Sequence, residues 1–234
     1  MFEKEGLKLQ TLIVVAHPNI ADSPTQQFLK ASLPDADVIW HDLSSEGQFD
    51  RQRELHLLAQ ADRIIFQFPF YWYSAPFILK KWQDEVFSGE QGQYQFLAGK
   101  QLALVVSLGQ SLARYQSGGS EHYAMSELLR PYQAFADKLG WHYRAPLLIS
   151  HFAYSTEAEK QTLLIRYQQF LTMDDPTNFA AQGDWLVAQL EKMATAHPTQ
   201  AANVSLVSEQ LTTQLEQYRD LIWQVSQIKQ GEKD

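Results

Sequence analysis

Three short stretches carry side chains that could do chemistry, and each follows a run that reads as a strand. The densest spans residues 66–87, FQFPFYWYSAPFILKKWQDEVF. Here Phe70, Tyr71, Trp72 and Tyr73 stand in a row between Pro69 and Pro76. Aromatic faces and free amide N–H groups at the end of a strand make a wall for a flat ring cofactor. A strand–turn–helix unit closed by an apolar plug would use the same residues, because aromatics also fill cores. The second stretch, HPNIADSPTQQ, begins at His17. It sets hydroxyls and amides before a helix start, where N–H groups and the helix dipole favour a phosphate, with Ser23 and Thr25 as added donors. It is neither a Walker A loop nor a dinucleotide glycine fingerprint, and an ordinary N-cap would read the same way. The third, SLGQSLARYQSGG, begins at Ser107. Backbone amides at Gly109 and Gln110 could bond the edge of a heterocycle. Tyr115 and His122 could steady charge or move a proton there, although packing or surface roles suit both.

Other chemistries find no support. The seven histidines show neither HExxH nor His-x3-His spacing, no G-x-S-x-G elbow occurs, and there is no cysteine. No metal site is expected.

The elements that must position these stretches follow from patterning. Short apolar runs at 12–16, 37–41, 62–68, 101–108 and 145–151 read as strands. Helices are expected at 24 onward (Ser23 as N-cap, Pro24 at N1), 51–60, 75–87 with Ser74-Ala75-Pro76 as its start, 122–139 ending at Gly140, and 156–171. A loop with Asp42, Ser44, Ser45 and Gly47 follows the second strand. Five βα repeats imply an open parallel sheet covered by helices on both faces. Asp174-Asp175-Pro176 then breaks the chain, so residues 1–172 read as one domain and 173–234 as a helical C-terminal extension. Its helices are expected at 183–196 and 205–230. In the second, Val207, Leu211, Leu215, Tyr218, Leu221, Ile222, Val225 and Ile228 form a stripe expected to pack on its own domain, with a dimer contact as the alternative.

Composition bounds the partners. Apolar residues make up 45% of the chain, enough for one sizeable core, and the net charge of −8 argues against nucleic acid or an anionic membrane surface. The N-terminal residues do not read as a signal peptide, and no apolar run approaches a membrane span. A soluble, cytoplasmic protein without membrane insertion is expected.

Taken together, these segments resemble the flavodoxin-like NAD(P)H:quinone oxidoreductase family. That family includes DT-diaphorase-type enzymes and the ancillary flavoproteins of glutathione-gated potassium efflux. The resemblance covers roughly residues 12–171 and is strongest over residues 66–87. AHPNIADS and ELLRPYQAFADKLGW add to it. It implies a doubly wound five-stranded parallel sheet in the order 2-1-3-4-5, a homodimer and a bound flavin, FMN ahead of FAD. By resemblance His17, Ser23 and Gln26 hold the flavin phosphate. Phe70, Tyr71, Trp72 and Tyr73 meet its ring, and Ser107, Leu108, Gly109 and Gln110 stand at the family's Thr-Thr-Gly-Gly loop. Tyr115 matches a tyrosine associated with hydride transfer, and the accompanying histidine falls in register with Glu121, beside His122. The implied reaction is ping-pong hydride transfer from NAD(P)H through the flavin to a quinone or similar acceptor. A regulatory flavoprotein that binds a partner such as a membrane transporter, with catalysis secondary, is the second expectation. A fold whose flavin site is closed by Gln110, where the family has Gly, is the third.

Overall fold

The computed structural model describes residues 9–43 and 47–231. Ser44 and Ser45 of the expected loop, and residues 1–8 at the N-terminus, lie outside this range, as do residues 232–234. The described residues form two compact units that part between Thr172 and Met173.

The first unit is built on strands β1 (Thr11–Val15), β2 (Val38–Asp42), β3 (Arg63–Pro69), β4 (Gln101–Leu108), β5 (His142–Tyr143) and β6 (Leu147–Ser150). The order is β2-β1-β3-β4, with β5 and β6 both pairing with β4, and every pairing is parallel. The fifth column holds β6 inside the expected 145–151 and, ahead of it over 142–143, a short β5 that the pattern did not indicate. Between them lies Pro146, which has no N–H to give the ladder. β1 and β3 are buried along their whole length, as strands covered on both faces must be. Alternation sends Leu12, Val14, Ile64 and Phe66 into one core, and Ile13, Val15 and Ile65 into the other.

Helices α1 (Pro24–Ala31), α2 (Arg51–Gln60), α3 (Phe77–Val86), α4 (Met125–Leu128), α5 (Arg130–Leu139) and α6 (Glu157–Thr172) complete the unit. Ser23 caps α1 and Asp50 caps α2. α3 begins later than expected: Pro76 holds the N-cap position without a side-chain bond, and Ser74 instead belongs to the preceding turn. The single helix expected over 122–139 is two. The break falls at Leu129, and Pro131, at the second position of α5, has no N–H to carry the hydrogen-bond ladder on from α4. Gly140 closes α5 at φ 67°, as expected.

One buried charge sits in the first core. Glu54, 1% exposed, accepts from His41 Nε2 at 2.8 Å and from Trp82 Nε1 at 2.7 Å. Burial alone would raise this carboxyl. The bonds from His41 and Trp82, with nearby positive charge, outweigh burial and hold it below the usual range.

The second unit pairs α7 (Phe179–Ala196) with α8 (Ala201–Gly231). Gly183 lets Leu215 seat against α7, since a Cβ there would come within 2.3 Å of Leu215 Cδ2. Phe179, at the start of α7, meets Tyr218. The expectation that the whole α8 stripe packs on its own domain fails: Leu215 is buried, but Val207, Leu221, Ile222, Val225 and Ile228 are exposed. The last four lie beyond the point where α7 begins. Among the described residues no helix is long and apolar enough to cross a membrane.

Candidate functional site

The carboxyl ends of β1, β3, β4 and β6 open onto a cavity of about 210 Å³. Its wall includes His17, Ser23, Tyr71, Ser107, Leu108 and Gly109 from the three chemistry-bearing stretches. A larger recess of about 580 Å³ runs beside α3 and α5, lined by Lys80, Gln83, Asp84 and Phe87. It starts at Ser74, Ala75 and Pro76 of the β3 loop and runs down the flank between the two helices, and no residue of the β1 or β4 loops lines it.

The β1 loop brings hydroxyls and one imidazole to the start of α1. His17 Nδ1 accepts the Asn19 N–H at 3.0 Å, so a neutral ring carries its proton on Nε2. Burial lowers the His17 pKa, while the Asp42 carboxylate pulls the other way. Ser23 Oγ accepts the Gln26 N–H at 3.3 Å, and Thr25 joins Ser23 in the wall. The Gln26 side chain turns from the site into the core. It accepts from Gln67 Nε2 at 2.6 Å, and Gln67 accepts in turn from the Tyr167 hydroxyl at 2.8 Å.

The aromatic loop is a tight hairpin. Tyr71 and Ser74 exchange both backbone hydrogen bonds, at 2.9 and 3.0 Å. Trp72 and Tyr73 between them stand at φ 49° and 63°. Such turns ordinarily take Asn or Gly, and holding two bulky residues there costs about 1–3 kcal/mol each. Tyr71 reaches the pocket, Trp72 is 94% exposed, and Phe70 packs edge-on against Tyr73 and Tyr115.

The β4 loop is tied to this hairpin. Phe70 N–H donates to Ser107 O at 2.8 Å, and the Tyr73 hydroxyl donates to Glu121 Oε2 at 2.8 Å. Arg114 gathers the loop's polar groups, bonding Gln110 Oε1 at 2.7 Å and Ser120 Oγ at 2.9 Å and pairing with Glu121 at 3.3 Å. Gln110 is thereby drawn to Arg114 and does not line the cavity. At Gly109 an added Cβ would meet nothing within 4 Å. At Gly119 it would come within 2.3 Å of Arg114 O, so the turn requires glycine. Tyr115 is half-buried against Phe70. Burial first, then the Glu121 charge, raise its pKa. His122 lies exposed at φ 64° and is not brought to the pocket.

The Glu121 bond raises the Tyr73 pKa. Glu121→Gln should therefore let Tyr73 ionise at lower pH, read as tyrosinate absorbance against a Tyr73→Phe control. An unchanged profile would show that the two loops are not tied in solution.

The turn after β6 completes the wall with His151, Phe152, Ala153 and Tyr154. These residues carry no spacing signal. The only hint in the sequence is their place at the carboxyl end of a parallel strand.

The flavodoxin-like fold family matches residues 10–171. The NADPH-quinone reductase of P. pentosaceus is 43% identical, with a TM-score of 0.66 over 71% of this chain and 100% of that one. General stress protein 14 of Treponema denticola, solved in complex with FMN, is 31% identical, with a TM-score of 0.62 over 69% of this chain and 97% of that one. The glutathione-regulated potassium-efflux system ancillary protein KefG of Cronobacter sakazakii is 36% identical over 60% of this chain and 80% of its own.

Proposed function

We propose that this chain, which belongs to the flavodoxin-like fold family, is an FMN-dependent NAD(P)H oxidoreductase that reduces a quinone or similar small acceptor. The observation that carries this reading is the convergence of His17, Ser23, Tyr71, Ser107, Leu108 and Gly109 on one cavity at the strand ends. That donor set fits FMN: hydroxyls and an imidazole for a phosphate, amides and an unobstructed glycine for a ring edge. The relatives support the activity, one being a NADPH-quinone reductase and another an FMN complex. When bound, FMN supplies hydride acceptance from NAD(P)H and hydride donation to the acceptor, in a ping-pong cycle.

The chain's residues do the rest. His17 Nε2, Ser23 and Thr25 bind the phosphate. The Gly109 amide meets the ring edge, and the Phe70–Tyr73 turn excludes water from one side. Tyr115, whose hydroxyl stays protonated, steadies charge on the reacting oxygen. Tyr115→Phe should slow reduction about tenfold or more in stopped flow while leaving FMN affinity unchanged. An unchanged rate removes Tyr115 from the mechanism. The reading itself is tested by loading the protein with FMN and desalting it: one flavin should be retained per chain.

We propose a cytoplasmic homodimer; the exposed aromatics Trp72, next to the cavity-lining Tyr71, and Tyr154, in the cavity wall, support the dimer. A second reading, a regulatory flavoprotein that binds a membrane transporter, is favoured by the KefG relative and by the exposed apolar residues of α8. Removing residues 205–230 separates the two. Retained NADPH oxidation with lost transporter binding would favour the regulatory reading.

A further inference from the structure

The turn after β6 holds its first residue in an unusual backbone state. His151 stands at φ 53°, ψ 32°, a left-handed conformation uncommon for a residue with a Cβ. It is locked there. Its N–H donates to Leu108 O at 3.0 Å, its own carbonyl accepts the Tyr154 N–H at 2.8 Å, and the buried Phe152 ring packs on Phe28. The lock therefore ties the turn to the same β4 end that presents Gly109. The His151 ring stands edge-on to Tyr154, 6.1 Å between centroids, and both line the cavity with His17. Conformations of this kind persist where the surroundings over-determine them, and they cluster at ligand sites.

We propose that His151 is a cofactor-contacting residue of the flavin site, held left-handed so that its imidazole forms part of the cavity wall. This inference rests on the flavin reading above. Reduction adds negative charge to a flavin, and an imidazole N–H donor in the wall favours the more negative form. His151 thus sets the relative affinity for oxidised and reduced cofactor, a role distinct from holding the phosphate.

The test compares the wild type with His151→Asn and His151→Gly, since both replacements tolerate the left-handed backbone. FMN affinity is read by fluorescence quenching, apoprotein stability by thermal unfolding, and the flavin midpoint potential by redox titration. Both variants should keep the wild-type thermal midpoint or exceed it, bind FMN about tenfold more weakly, and show a more negative potential. Wild-type affinity and potential in both variants would make His151 a turn residue only and overturn the inference. Affinity lost together with thermal stability would also overturn it, as a structural effect. Failure of the wild type to retain FMN is a different outcome: it would remove the flavin reading itself, and this inference with it.

Discussion

Glu54→Ala should cost the first unit about 3–5 kcal/mol of folding stability, the range seen when one partner of a buried ionic pair is removed. Glu54 is fully enclosed and serves two buried donors, His41 Nε2 and Trp82 Nε1. Truncation leaves both donors without their acceptor inside the core. The pH dependence gives a second signature. The Glu54 pKa is depressed in the folded state, so its contribution is fully present above the unfolded value of about 4.3. It is lost as pH falls through the lower folded value. Urea midpoints measured from neutral pH to about pH 3 should therefore fall more steeply for the wild type than for the variant. A neutral-pH difference below about 1 kcal/mol would show that the pair contributes little.

Gly109→Val should abolish most cofactor binding without unfolding the protein. Gly109 lines the cavity, an added Cβ there meets no protein atom within 4 Å, and its backbone does not require glycine. The valine therefore occupies ligand space rather than core. FMN affinity should drop about a hundredfold, near 3 kcal/mol, with an unchanged apoprotein melting curve. Gly119→Ala is the contrasting control. Its Cβ strikes Arg114 O, so it should disturb the loop in the apoprotein as well. Unchanged FMN affinity in Gly109→Val would place the cofactor elsewhere.

The sheet was legible because its strands are short continuous apolar runs between turn residues. The bounds of α2 and β4 coincide with those expected from pattern alone. The interruption at Pro146 and the break before Pro131 were visible as residues, but their effect on the backbone depends on what each neighbour can donate. The lining of the candidate cavity was legible where a loop's position decides the outcome, as for His17, Ser23, Tyr71, Ser107, Leu108 and Gly109. It was not legible where side chains choose between partners. Gln26 could have faced a phosphate, but Gln67 and Tyr167 form a buried chain that takes its carbonyl. Gln110 could have crowded the cavity, but Arg114 draws it aside. His151 read as the end of the 145–151 strand and Tyr154 as part of the motif-free link to the next helix, and the pairing of β6 with β4 brings both to the wall.

The central claim is tested most directly by titrating the FMN-loaded, desalted protein with NADPH under anaerobic conditions while following flavin absorbance. Stoichiometric bleaching, with full recovery of colour when a quinone is added, is the expected result. Retained flavin that stays oxidised with both NADPH and NADH would contradict it.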